Sequence, residues 1–405
     1  MIDRISPLTI KIICGGLILA IAVGIRQSFG LFLDPVSTTL QIGRETFALS
    51  IGLINLLWGA LAPFTGALSD KFGLKKVAIF GTILYSLGIY IFSNSSHGYE
   101  LIVGGLIVGA GLSGLGFTVI LGAVGKFAPP EKRGTALGLT TMGGSIGMFL
   151  GIPVSGTLIA STGWSSSFFW LAIISLVMLP LVYGLVDSKT SNDKKTKVDS
   201  EDKGETLKEV LNHAFNSKHF VLLVCGFFIC GFHVNFIVSH LPAFISDMSL
   251  PGNVATTALA LVGFANIFGV AIAGRLGDKY SKSDVLVVLY SLRAIVFTIY
   301  ILTPITASST MIFTFTLGLL WLGTVPLTSG LVATFFGPKY MSMLYGIVFF
   351  GHQLGGFFSS WLGGKIYDLT GNYDTMWWFS VFLGVFAALL HYPIKDKAII
   401  LFGSR

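Results

Sequence analysis

Long apolar runs separated by short polar punctuation dominate this chain. Twelve are visible, with cores at residues 8–33, 47–69, 76–93, 101–124, 134–160, 165–186, 219–245, 255–276, 284–303, 310–335, 341–367 and 374–393. Each is close to the roughly 20 apolar residues that carry an α-helix across a hydrocarbon core about 30 Å thick. The runs are continuous rather than alternating, so they predict helices and not the strands of a transmembrane barrel. Only residues 187–218 form a long hydrophilic stretch. Its mixed charges cannot bury apolar area, which predicts a solvated linker, with a short amphipathic helix at 205–215. The chain is thereby read as an all-α membrane protein of twelve transmembrane helices in two pseudo-symmetric bundles of six, at 1–186 and 219–405.

Composition agrees with that pattern. Of 405 residues, 53% are hydrophobic and 11% charged, and the mean hydropathy is +0.81. Soluble domains carry about 25% charged residues, so a cytosolic enzyme, a nucleic-acid-binding domain and a disordered chain are all excluded. The net charge of +7 reflects topology. With the N-terminus placed in the cytoplasm, 22 of the 26 Lys and Arg residues fall on the cytoplasmic side and only Arg44 in the opposite loops. This bias predicts cytoplasmic termini and linker in an inner or plasma membrane. Cys14, Cys225 and Cys230 all lie in apolar runs, so neither a disulfide framework nor a metal site is expected. The run after Lys11 lacks a small-residue cleavage site and reads as the first span, not a signal peptide.

The two halves repeat each other. Gly66-Ala67-Leu68-Ser69-Asp70-Lys71-Phe72-Gly73-Leu74-Lys75-Lys76 follows the second span, and Gly274-Arg275-Leu276-Gly277-Asp278-Lys279 follows the eighth. Pro130-Glu131-Lys132-Arg133 precedes the fifth span and Gly337-Pro338-Lys339 the eleventh, each leading into a glycine-rich run. Duplicated helical units of this kind mark transporters. The loop at 66–76 resembles the signature between the second and third helices of the major facilitator superfamily. Within it, GIRQSFGLFLDPVS in span one, GFHVNFIVSHLPAFISDMSL in span seven and GHQLGGFFSSWLGGKIYDLTGNYDTMWW in and after span eleven resemble the monocarboxylate transporter and oxalate/formate antiporter branch.

Three cations fall inside predicted spans: Arg26, Arg293 and Lys365. A central Arg costs at least about 2.5–3.5 kcal/mol to insert, so Arg26 requires an anion, a partner or water. The resemblance implies a substrate-carboxylate contact at that first-helix position. Arg293 is expected to be structural, and Lys365 to form an ion pair or gate with Asp368, one turn on. His352 and Gln353 in span eleven are candidates for holding an anion or a proton, as are His233, His240 and Asn235 in span seven. Asn235 and Ser239 share a helical face, and either interhelical hydrogen bonds or solute contacts would suit them. Asn266 stands where the branch often has an acid, with Val270 one turn on in place of an Arg. No Asp or Glu lies near the middle of a predicted span.

A basic, acid-poor interior suits a small organic anion, a mono- or dicarboxylate, and disfavours a carboxylate proton relay or a pump for cationic drugs. By resemblance, the loop residues Gly66, Asp70, Lys71, Gly73, Lys75, Arg133 and Asp278 are expected to form contacts that break and reform during alternating access. Gly143, Gly144, Gly147, Gly151, Pro153 and Gly156 are expected to serve packing and bending. Neither an enzymatic constellation nor an ATP site is present, since no Walker lysine follows the glycine runs. The expected activity is therefore exchange or proton-linked symport by a monomer in the bilayer, without cofactor, metal or nucleic acid. An efflux carrier for a drug, siderophore or other metabolite is the rival within transport, and a non-transporting sensor the rival outside it.

Overall fold

The computed structural model describes residues 6–129, 132–185 and 207–399. Residues 187–206 of the predicted linker, together with Pro130 and Glu131, lie outside the described residues, as do the side chains of 207, 208, 338–340 and 342. A short helix, Leu207–Asn216, stands at the predicted amphipathic position.

All regular structure among the described residues is helical. Spans one to four are Pro7–Leu40, Arg44–Phe72, Leu74–Ser93 and Gly98–Phe127, and spans seven to nine are Lys218–Asp247, Gly252–Lys279 and Lys282–Leu302. Span ten is Ala307–Gly337 and span twelve is Asp374–His391. Spans five and six form one long helical stretch, Arg133–Leu185, broken at Gly163, where φ is +78°. Span eleven follows span ten across Gly337, at φ +70°, and runs to Thr370. Both breaks need the left-handed backbone that glycine adopts without a Cβ penalty. They turn long helical stretches into separate crossings, so twelve spans result.

Spans one, four and ten are themselves interrupted. Span one passes through a 3-10 turn at Phe29–Phe32, where the Ser28 hydroxyl donates to the Ile25 carbonyl at 2.7 Å. Span four breaks at Gly116, and a Cβ there would lie 2.5 Å from Trp58 Nε1. Span ten breaks between Leu319 and Thr324.

Two apolar cores form. One is centred on Ile18, Phe29, Phe47, Tyr85, Phe92 and Phe168. The other is centred on Phe236, Tyr290, Phe297, Phe313, Trp321 and Trp377. Outside them, exposed apolar side chains such as Phe80, Leu87, Ile299 and Phe382 give the belt that a bilayer requires.

The bundles meet through small residues. A Cβ on Gly30 of span one would strike the Val238 carbonyl of span seven, and one on Gly364 of span eleven would crowd Ala48 and Arg44 of span two. Gly52 and Gly59 of span two lie against Phe357 and Gln353 of span eleven, and Gly263 of span eight against Phe149 of span five. Within the first bundle, Gly143 and Gly147 bring span five onto the backbone of Gly16 and Ala20 in span one. Gly151 lies against Gly24, and Gly156 faces Thr256 in the other bundle. Such contacts let helix backbones approach closely, which is how helices pack in lipid.

Candidate functional site

Arg26 stands near the end of the first helical segment of span one and is 2% exposed. Its guanidinium donates from Nη1 to Gln27 Oε1 at 2.8 Å, and from Nη2 to Asn55 Oδ1 and Asn235 Oδ1. Asn55 belongs to span two and Asn235 to span seven, so the cation ties the two bundles together. Asn55 Nδ2 also donates to Asn235 Oδ1 at 3.0 Å, and Asn235 Nδ2 to the Gly231 carbonyl at 2.9 Å. Every side-chain acceptor on Arg26 is thus a neutral amide oxygen. Among the described residues no carboxylate pairs with it.

Span eleven closes one side of this cluster. A Cβ on Gly356 would lie 2.3 Å from Asn235 Nδ2 and 3.2 Å from Asn55 Nδ2. Gln353 lies one turn nearer the linker end, opposite Gly59 of span two. Its Oε1 is paired with His352 Nδ1 at 3.0 Å, and the His352 ring lies between Phe227 and Phe349. Three buried nitrogens in this neighbourhood, Arg26 Nε, Gln353 Nε2 and His352 Nε2, have no hydrogen-bond partner. Unsatisfied buried polar groups are costly and call for an explanation. Here the orphans include a cationic N–H and an amide N–H, both obligate donors, and an imidazole nitrogen. The two N–H donors favour an acceptor, whereas His352 Nε2 is left as an acceptor because Nδ1 donates to Gln353.

The other predicted residues fall elsewhere. His233 turns into the second bundle, with Nε2 2.9 Å from the Ser380 carbonyl and its ring against Phe297. Asn266 donates to Ser145 of span five at 2.9 Å and accepts from the Leu322 N–H at 2.9 Å. It joins the bundles while capping the broken part of span ten. Arg293 donates to the carbonyls of Leu320 and Trp321, satisfying backbone groups that the same break exposes. Ser239 bonds Ser360 of span eleven at 3.0 Å.

The end opposite the linker is closed by a charged clamp. Arg44, the first residue of span two, donates from Nη1 and Nη2 to the Asp247 carboxylate of span seven at 2.7 Å each. It also donates to Asp34 at 2.8 Å and to Tyr373 Oη at 3.3 Å, and lies over the Tyr367 ring. Asp368 of span eleven accepts the Arg44 and Glu45 backbone N–H groups at 2.9 and 2.8 Å. It thereby caps span two from the other bundle. Trp361 Nε1 donates to Glu45 at 2.8 Å, and His240 bridges Tyr373 and the Ser360 carbonyl. The expected Lys365–Asp368 ion pair is absent among the described residues. Asp368 is taken by the helix end, and Lys365 lies over the Trp361 ring.

At the linker end no such clamp is seen among the described residues. Asp70, Lys71, Gly73, Arg133 and Asp278 are exposed, and Gly66 and Lys75 half-buried. Asp70 pairs with Lys126 of span four, within its own bundle, and Lys75 lies over Tyr183 of span six.

Two features were not visible in the sequence. Asn55 looked like any polar residue within an apolar run, and only its approach to Arg26 distinguishes it. Arg44 carried a signal, as the one cation in the loops opposite the linker, but its carboxylate partners come from three separate segments.

Comparison with known proteins follows from this geometry. The model of the Major Facilitator Superfamily matches residues 12–360. The chain is 27% identical to an uncharacterized MFS-type transporter of Bacillus subtilis, covering 92% of this chain and 91% of that protein. It is 25% identical to monocarboxylate transporter 13 of Bos taurus (87% and 81% covered). It is 21% identical to the oxalate:formate antiporter of Oxalobacter formigenes (86% and 82%). Among solved structures, a bacterial homolog of the human lysosomal transporter Spinster superposes with a TM-score of 0.75 at 14% identity, covering 97% of this chain and 98% of the other. A D-xylose-proton symporter superposes with a TM-score of 0.73 at 15% identity, covering 97% and 99%. Both share the fold.

Proposed function

The chain belongs to the major facilitator superfamily, and we propose that within it this transporter moves a small organic anion carrying one carboxylate, held by Arg26 midway through the membrane. One observation carries the reading. Arg26 is buried with three neutral amides and no acid, and both its own Nε and the nearby Gln353 Nε2 are N–H donors that lack acceptors. An arriving carboxylate neutralises the charge and supplies the missing acceptor oxygens, in the charge-assisted pairing that guanidinium favours. Among the described residues, the deep cations and the one at the clamped end offer a second carboxylate no free partner. Arg293 is committed to backbone carbonyls, Arg44 to Asp34 and Asp247, and Lys365 lies at the clamped end. Similarity to a monocarboxylate transporter supports the one-carboxylate reading, and similarity to an oxalate:formate antiporter supports small organic anions more broadly, since oxalate carries two carboxylates.

The basic-residue bias supports a cytoplasmic linker end; on that reading the clamped end faces outward, and the unclamped end is the one that parts first, inward. An anion then reaches Arg26 from the cytoplasmic side, passing Gln353 and His352. Outward opening breaks the Arg44–Asp247 clamp. The loops carrying Asp70, Lys71 and Arg133, exposed here, close against the second bundle in that state. With no acid at mid-depth, exchange of one anion for another is favoured over a carboxylate-based proton relay, and His352 is the side chain available for proton coupling.

Counterflow into proteoliposomes tests the reading directly. Monocarboxylates are expected to exchange, and dicarboxylates and neutral analogues of equal size to exchange at least tenfold more slowly. Equal rates for a carboxylate and its amide would contradict it.

A further inference from the structure

We infer that Asn235 is a built-in stand-in for the anion: in the empty protein its amide oxygen occupies Arg26 and ties the bundles, and the anion releases that tie by displacing it. The inference rests on the reading of Arg26 as the anion's partner, and assigns Asn235 a role other than substrate ligand.

The amide is aimed. Asn235 Nδ2 is held by the Gly231 carbonyl one turn earlier in its own helix, at 2.9 Å. That bond directs Oδ1 toward the first bundle, where it accepts from both Arg26 and Asn55. Gly356 lies directly beside it, and any side chain there would push the amide away. These hydrogen bonds join spans one and two to span seven, whereas the Arg26 bonds to Gln27 and Asn55 stay within one bundle. Separation of the bundles at this level therefore has to break the Asn235 contacts and can leave the others intact.

A carboxylate outcompetes a neutral amide for a guanidinium because both partners are then charged. Its seat lies on the linker side of the tie. Gln353, with its orphan Nε2, is one turn nearer the linker end than Gly356, which touches Asn235. An anion between Arg26 and Gln353 thus takes the guanidinium from Asn235 while remaining at the pivot. The opposite end can then part once its clamp opens. A ligand shifts a conformational equilibrium only by favouring one state, and displacing the tie supplies that difference. The empty protein, still tied, reorients slowly. Exchange between anions consequently outruns net movement of one.

The test uses the full chain in nanodiscs, with Cys14 and Cys225 replaced by alanine and spin labels at Asn94→Cys and Ser308→Cys, exposed positions at the clamped ends of the two bundles. Electron–electron distance distributions report opening. Without ligand, Asn235→Ala should raise the open fraction at least fivefold, and acetate, the simplest stable carboxylate probe, should do the same to the wild type. Asn235→Asp seats a permanent carboxylate on Arg26, so it should stay closed and ignore acetate; it also serves if the alanine variant fails to fold. An unchanged distribution in Asn235→Ala beside an intact acetate response, or an Asn235→Asp variant that opens with acetate as the wild type does, overturns the inference alone. Opening in Asn235→Ala without any response of the wild type to acetate, formate or lactate overturns displacement by an anion and the carboxylate reading with it.

Discussion

Arg44 and Asp247, 203 residues apart in sequence, meet through two hydrogen bonds of 2.7 Å and join the ends of spans two and seven. The Arg44 side chain is 9% exposed and that of Asp247 24%, so water screens the pair only partly. With Asp34 and Asp368 at the same end of span two, this clamp concentrates the charged contacts between bundles, among the described residues, at one end of the molecule.

The clamp should bias the conformational equilibrium. A partly buried, charge-assisted pair contributes about 1–2 kcal/mol, so its loss shifts a two-state balance roughly five- to thirtyfold. Asp247→Asn, which keeps the shape of the side chain, should raise the open fraction of the Arg44 end by that factor. Labelling of a cysteine introduced at the buried Ser239, on the clamped side of Asn235, would report it. A labelling rate equal to that of the same cysteine variant with Asp247 intact would show that the Arg44–Asp247 charge pair does not hold that end closed.

Asp70 should act on rate rather than on affinity. Its ion pair with Lys126 is two-thirds exposed on both sides and stays within one bundle. Such pairs contribute about 0–1 kcal/mol. Asp70→Asn is therefore expected to leave the melting temperature within about 4 °C of the wild type, since a shift of 1 kcal/mol moves a large chain by only about 2–4 °C. Turnover should still fall severalfold, because the loop's other contacts belong to the opposite conformation. The pair of measurements is detergent melting and maximal counterflow rate. A tenfold loss of affinity at unchanged maximal rate would contradict a gating role.

Glycines of span five separate packing from chemistry. A Cβ on Gly147 would lie 2.0 Å from the Ala20 carbonyl, whereas one on Gly138 would meet nothing within 4 Å. Gly147→Ala should cost about 1–3 kcal/mol through overpacking and lower the melting temperature by several degrees. Gly138→Ala should hold or raise it, since alanine is the better helix former. Similar melting of both variants would mean that spans one and five sit further apart.

Much of this was legible in the sequence, and what was not has a physical cause. A cation deep in an apolar run is expensive, so Arg26 stood out at once. An amide in such a run is cheap, so Asn55 did not. The duplicated loops at Asp70 and Asp278 marked two halves, because local turn chemistry recurs at a fixed spacing. Asp368 misled: its spacing from Lys365 suited a local pair, but the uncapped N–H groups of Arg44 and Glu45 compete for the same carboxylate. That competition depends on a helix more than 300 residues away. His233 was a weaker candidate than His352, and helix rotation turns it toward the Ser380 carbonyl. The breaks at Ser28 and Leu320 lie inside apolar runs, where hydropathy carries no mark of a helix end.

The most direct measurement is the affinity of purified Arg26→Gln and Arg26→Lys for a transported monocarboxylate, determined beside the wild type by calorimetry in the same detergent. A charge-assisted hydrogen bond contributes about 1.5–3 kcal/mol, so Arg26→Gln should bind roughly ten- to a hundredfold more weakly. It should still fold and insert, since removing a buried charge relieves an insertion cost. Arg26→Lys keeps the charge without the planar fork and should fall between the two. Wild-type affinity in a well-folded Arg26→Gln protein would show that Arg26 does not hold the anion.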